Sequence, residues 1–281
     1  CIRPSFPAMK TLKFTNQQRV VFCSDIHLHH SLEHVDILVF FLQQLIQWTH
    51  HYDAVFILGD WFEYWLGANC IQRFHYFFQK LKQKKGCAKL YYMPGNRDFL
   101  IQQASFSRLD ITIIPDPCLL TTETERILLT HGDVFCSSDY GYLLLRTLLQ
   151  NPITLRIAQR IPYAIKCKIA QFLRTTSKAR TACKPKHRMQ TKDHTMMRWA
   201  NTTACTHIVH GHVHAASERI LYNTARQPPT FIHVHVLDAW EHQANALCLH
   251  QRIIQFMPIE TSPMSQQKHL LAPYKEAHPT P

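Results

Sequence analysis

The sequence predicts an α/β domain in which sheet layers are flanked by helices. Short apolar runs recur along the chain and end in turn-like polar residues, a pattern that is typical of buried strands. Segments with apolar residues at helical spacing separate the first three of these runs. The chain has 281 residues, of which 46% are hydrophobic, so it can form a large core and is neither disordered nor a disulfide-dependent miniprotein.

The predicted strands cover residues 19–24, 54–58, 88–93, 126–130, 206–209 and 230–237. A first helix is predicted over residues 32–46, behind Ser31, because its apolar residues recur at intervals of three and four. A second helix is predicted over residues 74–81, and it ends near Gly86. Strands that alternate with helices in this way favour a layered α/β arrangement.

The pattern changes to a continuous helical region, rich in leucine, isoleucine and basic residues, between about residues 142 and 198. We interpret it as an insertion of two or more helices in a main domain that covers residues 18–258. Residues 1–17 are expected to form an N-terminal extension. Residues 259–281 are polar with several prolines and are expected to be a loosely ordered tail.

The basic character of the chain belongs to this insertion. The formal net charge is +12. Residues 141–198 contain 13 Lys and Arg and one acid, so the remaining 18 basic and 18 acidic residues cancel. No apolar stretch approaches the roughly 18 residues that a membrane-spanning helix requires, and no secretory segment opens the chain. None of the ten cysteines forms a CxxC pair, so we expect reduced thiols and a cytoplasmic protein.

Five polar clusters stand at the carboxyl ends of predicted strands, where open α/β sheets bind ligands. They are Asp25-Ile26-His27, Gly59-Asp60, Gly95-Asn96-Arg97-Asp98, His131-Gly132-Asp133 and His210-Gly211-His212-Val213-His214. Each cluster alone is a weak signal, because 20 histidines in 281 residues produce ~1.4 HxH pairs by chance. Their joint occurrence at the same end of the sheet is what predicts a site.

The residue mix of these clusters predicts a metal centre. Imidazole and carboxylate together favour Mn, Fe or Zn, whereas oxygen ligands alone favour Mg or Ca. Seven such side chains exceed the needs of one ion, and two ions about 3.5 to 4 Å apart can clamp a phosphoryl group. The clusters therefore predict hydrolysis of a phosphate ester or anhydride without a covalent intermediate.

At these residues the chain resembles the calcineurin-like metallophosphoesterases, whose ordered signature is DxH, GD, GNxD, H and GHxH. Within that superfamily it is similar to the UDP-2,3-diacylglucosamine hydrolase family of lipid A biosynthesis, from about residue 18 to 257. Arg97 is diagnostic, because most of the superfamily has histidine there. The most specific pieces are Leu58-Gly59-Asp60, Phe62-Glu63, Trp65-Leu66-Gly67, Gly95-Asn96-Arg97-Asp98-Phe99-Leu100, His131-Gly132-Asp133, Asp139-Tyr140-Gly141-Tyr142 and Ala239-Trp240.

The resemblance implies a β-sandwich flanked by helices, with two metal ions, typically manganese, and a helical lid. One ion would be held by Asp25, His27 and His214, and the other by Asn96, His131 and His212, with Asp60 bridging them. The implied catalytic residues are Asp60, Asn96, Arg97 and His212. The implied substrate contacts are Asn96, Arg97, Asp139, Ser177, Thr181, Lys184 and His212. Thr181 departs from the asparagine that is common in the family.

The implied reaction is hydrolysis of UDP-2,3-diacylglucosamine to UMP and 2,3-diacylglucosamine 1-phosphate, by attack of a metal-held hydroxide on the α-phosphorus. The basic, apolar insertion would hold the acyl chains and attract an anionic membrane, so we expect a peripheral protein on the cytoplasmic face of the inner membrane. Its leucine density favours lipid over nucleic acid as the partner.

Other interpretations remain open at this point. The insertion also fits an ordinary helical cap with solvated charges. The site also fits another dinuclear metallophosphoesterase, such as a nucleotide pyrophosphatase or phosphodiesterase, and the fold fits a non-enzymatic module that binds a membrane or nucleic acid. Asp98 and Asp133 are expected to support turns or orient ligands. The histidines that we expect not to be ligands are His29, His30, His210, His233 and His235.

Overall fold

The computed structural model describes residues 9–29, 35–67, 69–106, 109–136, 191–224, 229–240 and 244–259, and separate positions between 151 and 168. Most of the predicted insertion and all but the first residue of the predicted tail lie outside these residues. The proposed domain boundaries therefore stay predictions. Among the described residues, no helix is both long enough and apolar enough to cross a membrane.

Twelve strands form two six-stranded sheets in the described part of the chain. The first sheet has the order β1-β6-β7-β8-β10-β9 and the second has the order β12-β11-β2-β3-β4-β5. The strands are β1 (Lys10–Lys13), β2 (Val20–Cys23), β3 (Ala54–Leu58), β4 (Lys89–Met93), β5 (Ile111–Ile113), β6 (Cys118–Thr121), β7 (Arg126–Leu129), β8 (His207–His210), β9 (Ser217–Asn223), β10 (Thr230–Val236), β11 (Asn245–His250) and β12 (Ile253–Pro258).

All six predicted strands are present, as β2, β3, β4, β7, β8 and β10. β1 lies within the predicted N-terminal extension and pairs in parallel with β6. β2, β3 and β4 are parallel neighbours, as are β7, β8 and β10. The carboxyl ends of these two parallel groups are where the predicted polar clusters begin.

The helices are α1 (Val35–His51), α2 (Asn69–Arg73), α3 (His75–Lys84), α4 (Gln103–Phe106) and α5 (Asp193–Thr203). α1 and α3 correspond to the two predicted helices. α1 extends several residues beyond residue 46, where the prediction ended, whereas α3 ends at Lys84, close to the predicted end near Gly86. In α1 the residues Leu38, Phe41 and Leu45 are fully buried, and their spacing of three and four places them on one face.

Three buried clusters stack these elements into layers. Val20, Phe22 and Phe56 face the first sheet across the interior of the sandwich. Alternate residues of the same strands, such as Val21 and Val55, pack on the other side against α1 and α3, because successive side chains of a strand point to opposite faces. On the far side of the first sheet, α5 packs on β8 and β10. The predicted sandwich with flanking helices is therefore confirmed.

Candidate metal centre

The predicted ligands lie in loops at the carboxyl ends of five parallel strands. Asp25 and His27 follow β2, and Asp60 follows β3. The remaining ligands follow three further strands: Asn96 after β4, His131 after β7, and His212 and His214 after β8. All seven predicted metal ligands therefore share one end of the sandwich.

The first ligand cluster consists of Asp25, His27 and His214. The two imidazole Nε2 atoms are 3.2 Å apart. Oδ1 of Asp25 lies 3.2 Å from Nε2 of His214 and 3.8 Å from Nε2 of His27. The ligand atoms of this set all lie within 4.8 Å of one another, so the three side chains can bind a single ion.

The second ligand cluster consists of Asp60, Asn96, His131 and His212. Oδ1 of Asn96 is 2.8 Å from Nε2 of His131 and 3.1 Å from Nδ1 of His212. Oδ2 of Asp60 lies 3.6 Å from Nε2 of His131. Two imidazole nitrogens, an amide oxygen and a carboxylate oxygen thus point at a common space.

Asp60 connects the two clusters. Its carboxylate, that of Asp25 and the imidazole of His131 offer ligand atoms that all lie within 4.8 Å of one another. Asp25 belongs to the first cluster and His131 to the second, and all three side chains are buried. The carboxylate of Asp60 therefore occupies the position that a bridging ligand requires.

Hydrogen bonds leave selected atoms of the ligands available. Oδ2 of Asp25 accepts the backbone N–H of His212 at 2.8 Å and lies 2.5 Å from the hydroxyl of Ser24. Oδ1 of Asp25 is buried without a hydrogen-bond partner. Nδ1 of His131 is 3.1 Å from the carbonyl of Leu58, so an Nδ1–H donated there keeps Nε2 free for an ion. This donor set fits divalent metal ions that accept nitrogen and oxygen ligands.

The backbone at the ligands adopts an uncommon conformation. The φ angles are +54° at Asp25, +51° at His27, +48° at Asp60, +70° at His212 and +55° at His214. This left-handed region costs free energy for residues with a Cβ, and such outliers concentrate at functional sites. The loops are therefore held in place by the sheets and not by their own conformational preference.

Two glycines allow the ligand loops to approach one another. A Cβ on Gly95 would clash with the Asp60 carboxylate, and a Cβ on Gly211 would clash with Ser24 and with Oδ2 of Asp25. Any side chain at these positions would displace a ligand. The sequence pattern, in which scarce glycines stand beside the polar clusters, therefore reflects close packing of the loops.

The electrostatic environment of the site gives its imidazoles different pKa values. Burial disfavours protonated His131, but the carboxylates of Asp60 and Asp25 outweigh it and raise the pKa of His131 to about 9. Burial and the positive charge of Arg97 lower the pKa of His27 to about 3. Burial, together with His131, lowers the pKa of His212 to about 4. Without metal, the site therefore retains a proton on His131 that an ion must displace.

Arg97 stands at the edge of the ligand clusters and is held by two carboxylates. Its backbone N–H donates to Oδ1 of Asp60 at 2.9 Å, and its guanidinium pairs with Oε2 of Glu63. The Arg97 side chain is 37% exposed, whereas that of Glu63 is 4% exposed. The guanidinium is thus fixed on one side and open on the other.

Glu63 is a residue to which the sequence assigned no role. Its Oε2 contacts Arg97 and also lies 3.5 Å from Nδ1 of His27. The same carboxylate therefore adjoins a metal ligand and the predicted phosphate-binding cation. The sequence marks Glu63 through the Phe62-Glu63 motif. Its contacts with Arg97 and His27, however, form only when the loops are folded.

Two of the residues expected to play supporting or unrelated roles make contacts with the backbone of the loops. Asp98 accepts the backbone N–H of Gly95 at 2.8 Å and that of Phe62 at 3.2 Å, so it ties two loops together. Nδ1 of His210 is 2.8 Å from the carbonyl of Gly211. The predicted substrate contacts Asp139, Ser177, Thr181 and Lys184, and His30, lie outside the described residues.

Comparison with known proteins gives consistent results. The family model for calcineurin-like phosphoesterases matches residues 18–216. A UDP-2,3-diacylglucosamine hydrolase of Pseudomonas paraeruginosa is 37% identical over 231 residues, which cover 81% of this chain and 93% of that protein. Proteins of the same name from Pseudomonas aeruginosa and Pseudomonas entomophila are 36% and 34% identical, over 81% and 86% of this chain and 93% and 100% of their own lengths.

Proposed function

We propose, since the chain belongs to the calcineurin-like phosphoesterases and within them to the UDP-2,3-diacylglucosamine hydrolases, that it hydrolyses the pyrophosphate bond of UDP-2,3-diacylglucosamine in lipid A synthesis. The products are UMP and 2,3-diacylglucosamine 1-phosphate. The observation that carries this proposal is the convergence of seven ligand side chains with Arg97 at their edge.

The protein is a metal-dependent hydrolase, and we assign its ligands as two sets. Asp25, His27 and His214 would hold one ion. Asn96, His131 and His212 would hold the other, with Asp60 placed between the two sets. Two ions bound there supply an activated water molecule and neutralise charge on the phosphate. We further propose manganese, because a mixed imidazole and carboxylate set suits it better than calcium.

The side chains around the ligands position the substrate phosphates. Arg97 presents paired N–H donors to phosphate oxygens, and its contacts with Asp60 and Glu63 keep it oriented before substrate arrives. His212 lies beside Asn96, where both can contact phosphoryl oxygens. These preorganised donors stabilise negative charge that grows during the reaction without having to reorient.

The described positions of the insertion support a lipid-facing role. Ile157 and Ile165 are 56% and 49% exposed, and Arg160 and Lys168 are exposed on the same segment. Apolar side chains interspersed with cations suit the interface of an anionic membrane, where each nearby cation contributes about 1 kcal/mol. We therefore propose that the insertion is a lid that holds the acyl chains and docks on the cytoplasmic face of the inner membrane.

The test compares substrates that share the anhydride and the uridine. The diacyl substrate is expected to have a much higher kcat/KM than UDP-N-acetylglucosamine, because each buried methylene contributes roughly 0.8 kcal/mol. Replacing Leu144, Leu148 and Ile157 by serine should reduce this preference and spare metal-dependent cleavage of a small chromogenic phosphodiester. Equal efficiency on both nucleotides in the unmutated protein would replace this assignment with a general nucleotide pyrophosphatase.

The position of attack has its own test. Hydrolysis in ¹⁸O water should place the label on UMP, because we propose attack at the α-phosphorus. Label on the sugar phosphate would show attack at the β-phosphorus and a reversed substrate orientation.

A further inference from the structure

The hairpin of β9 and β10 carries an exposed apolar surface. Ile220 and Tyr222 on β9 are 59% and 57% exposed, and Phe231 on β10 is 58% exposed. Tyr222 and Phe231 are paired across the two strands, and their ring centroids are 5.3 Å apart. These three side chains are neighbours on one face of the first sheet, and we call them the edge patch.

The edge patch continues the inner face of the sandwich. Val209 of β8 packs into the core between the two sheets, and its register partner on β10 is His235. Alternate residues of a strand share a face, so Phe231 lies on the same face as His235. His235 is 5% exposed and Phe231 is 58% exposed. The second sheet therefore covers β8 and the end of β10 but not the edge patch.

The opposite face of β9 is occupied by α5. Nη2 of Arg219 lies 2.9 Å from Oδ1 of Asp193, and Nδ2 of Asn223 donates to Oδ1 of Asn201 at 2.6 Å. Leu221 packs against the buried cluster on which α5 lies. These contacts fix β9 in the sheet through one face, so its open face and its outer edge are held in a defined position.

β9 is the last strand of its sheet. In the part of the chain that the structure describes, it pairs with β10 alone, so the backbone N–H and C=O groups on its other side can pair with a further strand. Edge strands usually discourage such pairing by being short or by carrying lysine or proline. β9 has seven residues, Ser217–Asn223, and contains neither lysine nor proline.

We propose that this edge binds a second copy of the chain, with the two β9 strands paired antiparallel about a two-fold axis at Leu221. In this register Ile220 of one protomer lies opposite the partner's Tyr222, and the two-fold axis repeats the contact. Pairs of aromatic and β-branched side chains are favourable across antiparallel strands. The two edge patches join into one apolar surface.

The charges of β9 favour this register. Glu218 lies opposite the partner's Thr224, and Arg219 lies opposite the partner's Asn223, so like charges do not meet. The charged residue of β9 on the face of the edge patch is Glu218, which is 52% exposed. An acidic side chain does not attract an anionic membrane surface, so a second copy suits this face better than lipid does.

The edge patch is remote from the metal centre. Phe231 is the second residue of β10, roughly 16 Å along the strand from its last residue, Val236. Val236 pairs with His210, where the ligand loop after β8 begins. Substitutions in the edge patch should therefore leave metal-dependent turnover unchanged, so that loss of the dimer can be told apart from loss of the proposed activity.

The first experiment measures the mass of the full chain by sedimentation velocity over a range of protein concentrations. We expect the unmutated chain to form a dimer and Ile220→Lys to raise its dissociation constant at least about tenfold, because each lost contact occurs twice in the interface. Ile253→Lys is the matched control, since Ile253 is also 59% exposed but lies on β12, at an edge of the other sheet. Its dissociation constant should equal that of the unmutated chain.

Three results of this experiment would overturn the proposal. The unmutated chain could be monomeric, the dimer could be unaffected by Ile220→Lys, or Ile253→Lys could weaken it equally. If the unmutated chain is monomeric and Ile220→Lys lowers its binding to vesicles of anionic lipid, the edge patch belongs to a lipid surface instead.

The second experiment tests the register by disulfide formation. The parent chain has the exposed Cys87 replaced by serine. Adding Ile220→Cys and Tyr222→Cys together should cross-link two protomers under mild oxidation, because directly opposed residues of paired strands lie within reach of a disulfide. Either substitution alone leaves the two thiol-bearing residues diagonal to each other, about 7–8 Å apart, which is too far. Cross-linking of the double variant that does not exceed that of the parent chain and of both single variants would overturn the proposed pairing.

Discussion

Glu63→Gln is expected to lower kcat/KM by weakening the hold on Arg97. The carboxylate that pairs with the guanidinium is 4% exposed, and hydrogen bonds to charged groups contribute about 1.5–3 kcal/mol to a folded site. Glutamine keeps one acceptor oxygen, so the lower part of that range applies, which corresponds to roughly 10-fold to 30-fold in kcat/KM. Glu63 is thus a positioning residue that acts through Arg97.

The assay is a double-mutant cycle on the diacyl substrate at saturating manganese. If Glu63 acts through Arg97, then Glu63→Gln should cost no more than about threefold in an Arg97→Ala background. Manganese affinity, measured by calorimetry, reports separately on the contact with His27. Asp110→Asn is the matched control, because it removes the carboxylate of a surface pair with Lys85 and should leave kcat/KM unchanged.

Two results would refute this reasoning. If Glu63→Gln lowered kcat/KM as much in the Arg97→Ala background as in the wild-type background, the carboxylate would not act through the guanidinium. A Glu63→Gln variant that kept wild-type kcat/KM would show that Asp60 and the backbone orient Arg97 without help. Glu63→Asp retains the charge but shortens the reach, so partial recovery relative to glutamine is expected if charge dominates.

The remaining predictions concern the metal. Asp60→Ala should abolish turnover and lower the amount of bound manganese, whereas the turnover of His233→Ala should stay within a few-fold of the wild-type value. Loss of manganese from a folded His233→Ala variant would mean that the ligands are wrongly assigned. Gly211→Ala should weaken manganese binding at least tenfold by displacing Asp25. Calorimetry can measure this affinity, and circular dichroism can check that the variant is folded. Manganese affinity should rise about tenfold per pH unit from about pH 6.5 towards 9, because the ion must displace a proton from His131. Against the effect of burial, Asp60 and Asp25 raise the pKa of His131 to about 9. A manganese affinity that did not change with pH would argue against that proton. Chelation should remove activity, and Mn²⁺ should restore it better than Ca²⁺; full activity in excess chelator, after time for metal loss, would refute the metal requirement.

The strands that the sequence predicts are the continuously buried ones. β2 and β3 are apolar at every position because helices cover one face of their sheet and the other sheet covers the second face. β9 could not be recognised in this way, since it lies at an edge and six of its seven positions, Ser217–Asn223, are polar or exposed. The hairpin between β11 and β12 turns through Gln251 and Arg252 at φ of +49° and +70°, without the Asn-Gly or Asp-Gly signal that such turns usually carry.

The ligand set could be predicted because parallel strands bring their carboxyl ends together. Each predicted cluster follows its strand directly, so the topology alone places the side chains in one region. The supporting contacts follow from tertiary approach instead. The backbone N–H of His212 reaches the carboxylate of Asp25 across 187 residues of sequence, and Glu63 reaches Arg97 across 34 residues. Neither distance is encoded by a local pattern.

The left-handed backbone at the ligands has an evolutionary consequence. Asp and His, like Asn, tolerate this conformation better than most residues, so the side chains that coordinate metal are also ones that the loops can accommodate. A descendant that no longer used metal would gain roughly 1 kcal/mol or more at each strained position by acquiring glycine there. The left-handed backbone of Asp25, His27, Asp60, His212 and His214 therefore indicates that these positions are kept for their side chains and not for the comfort of the loop.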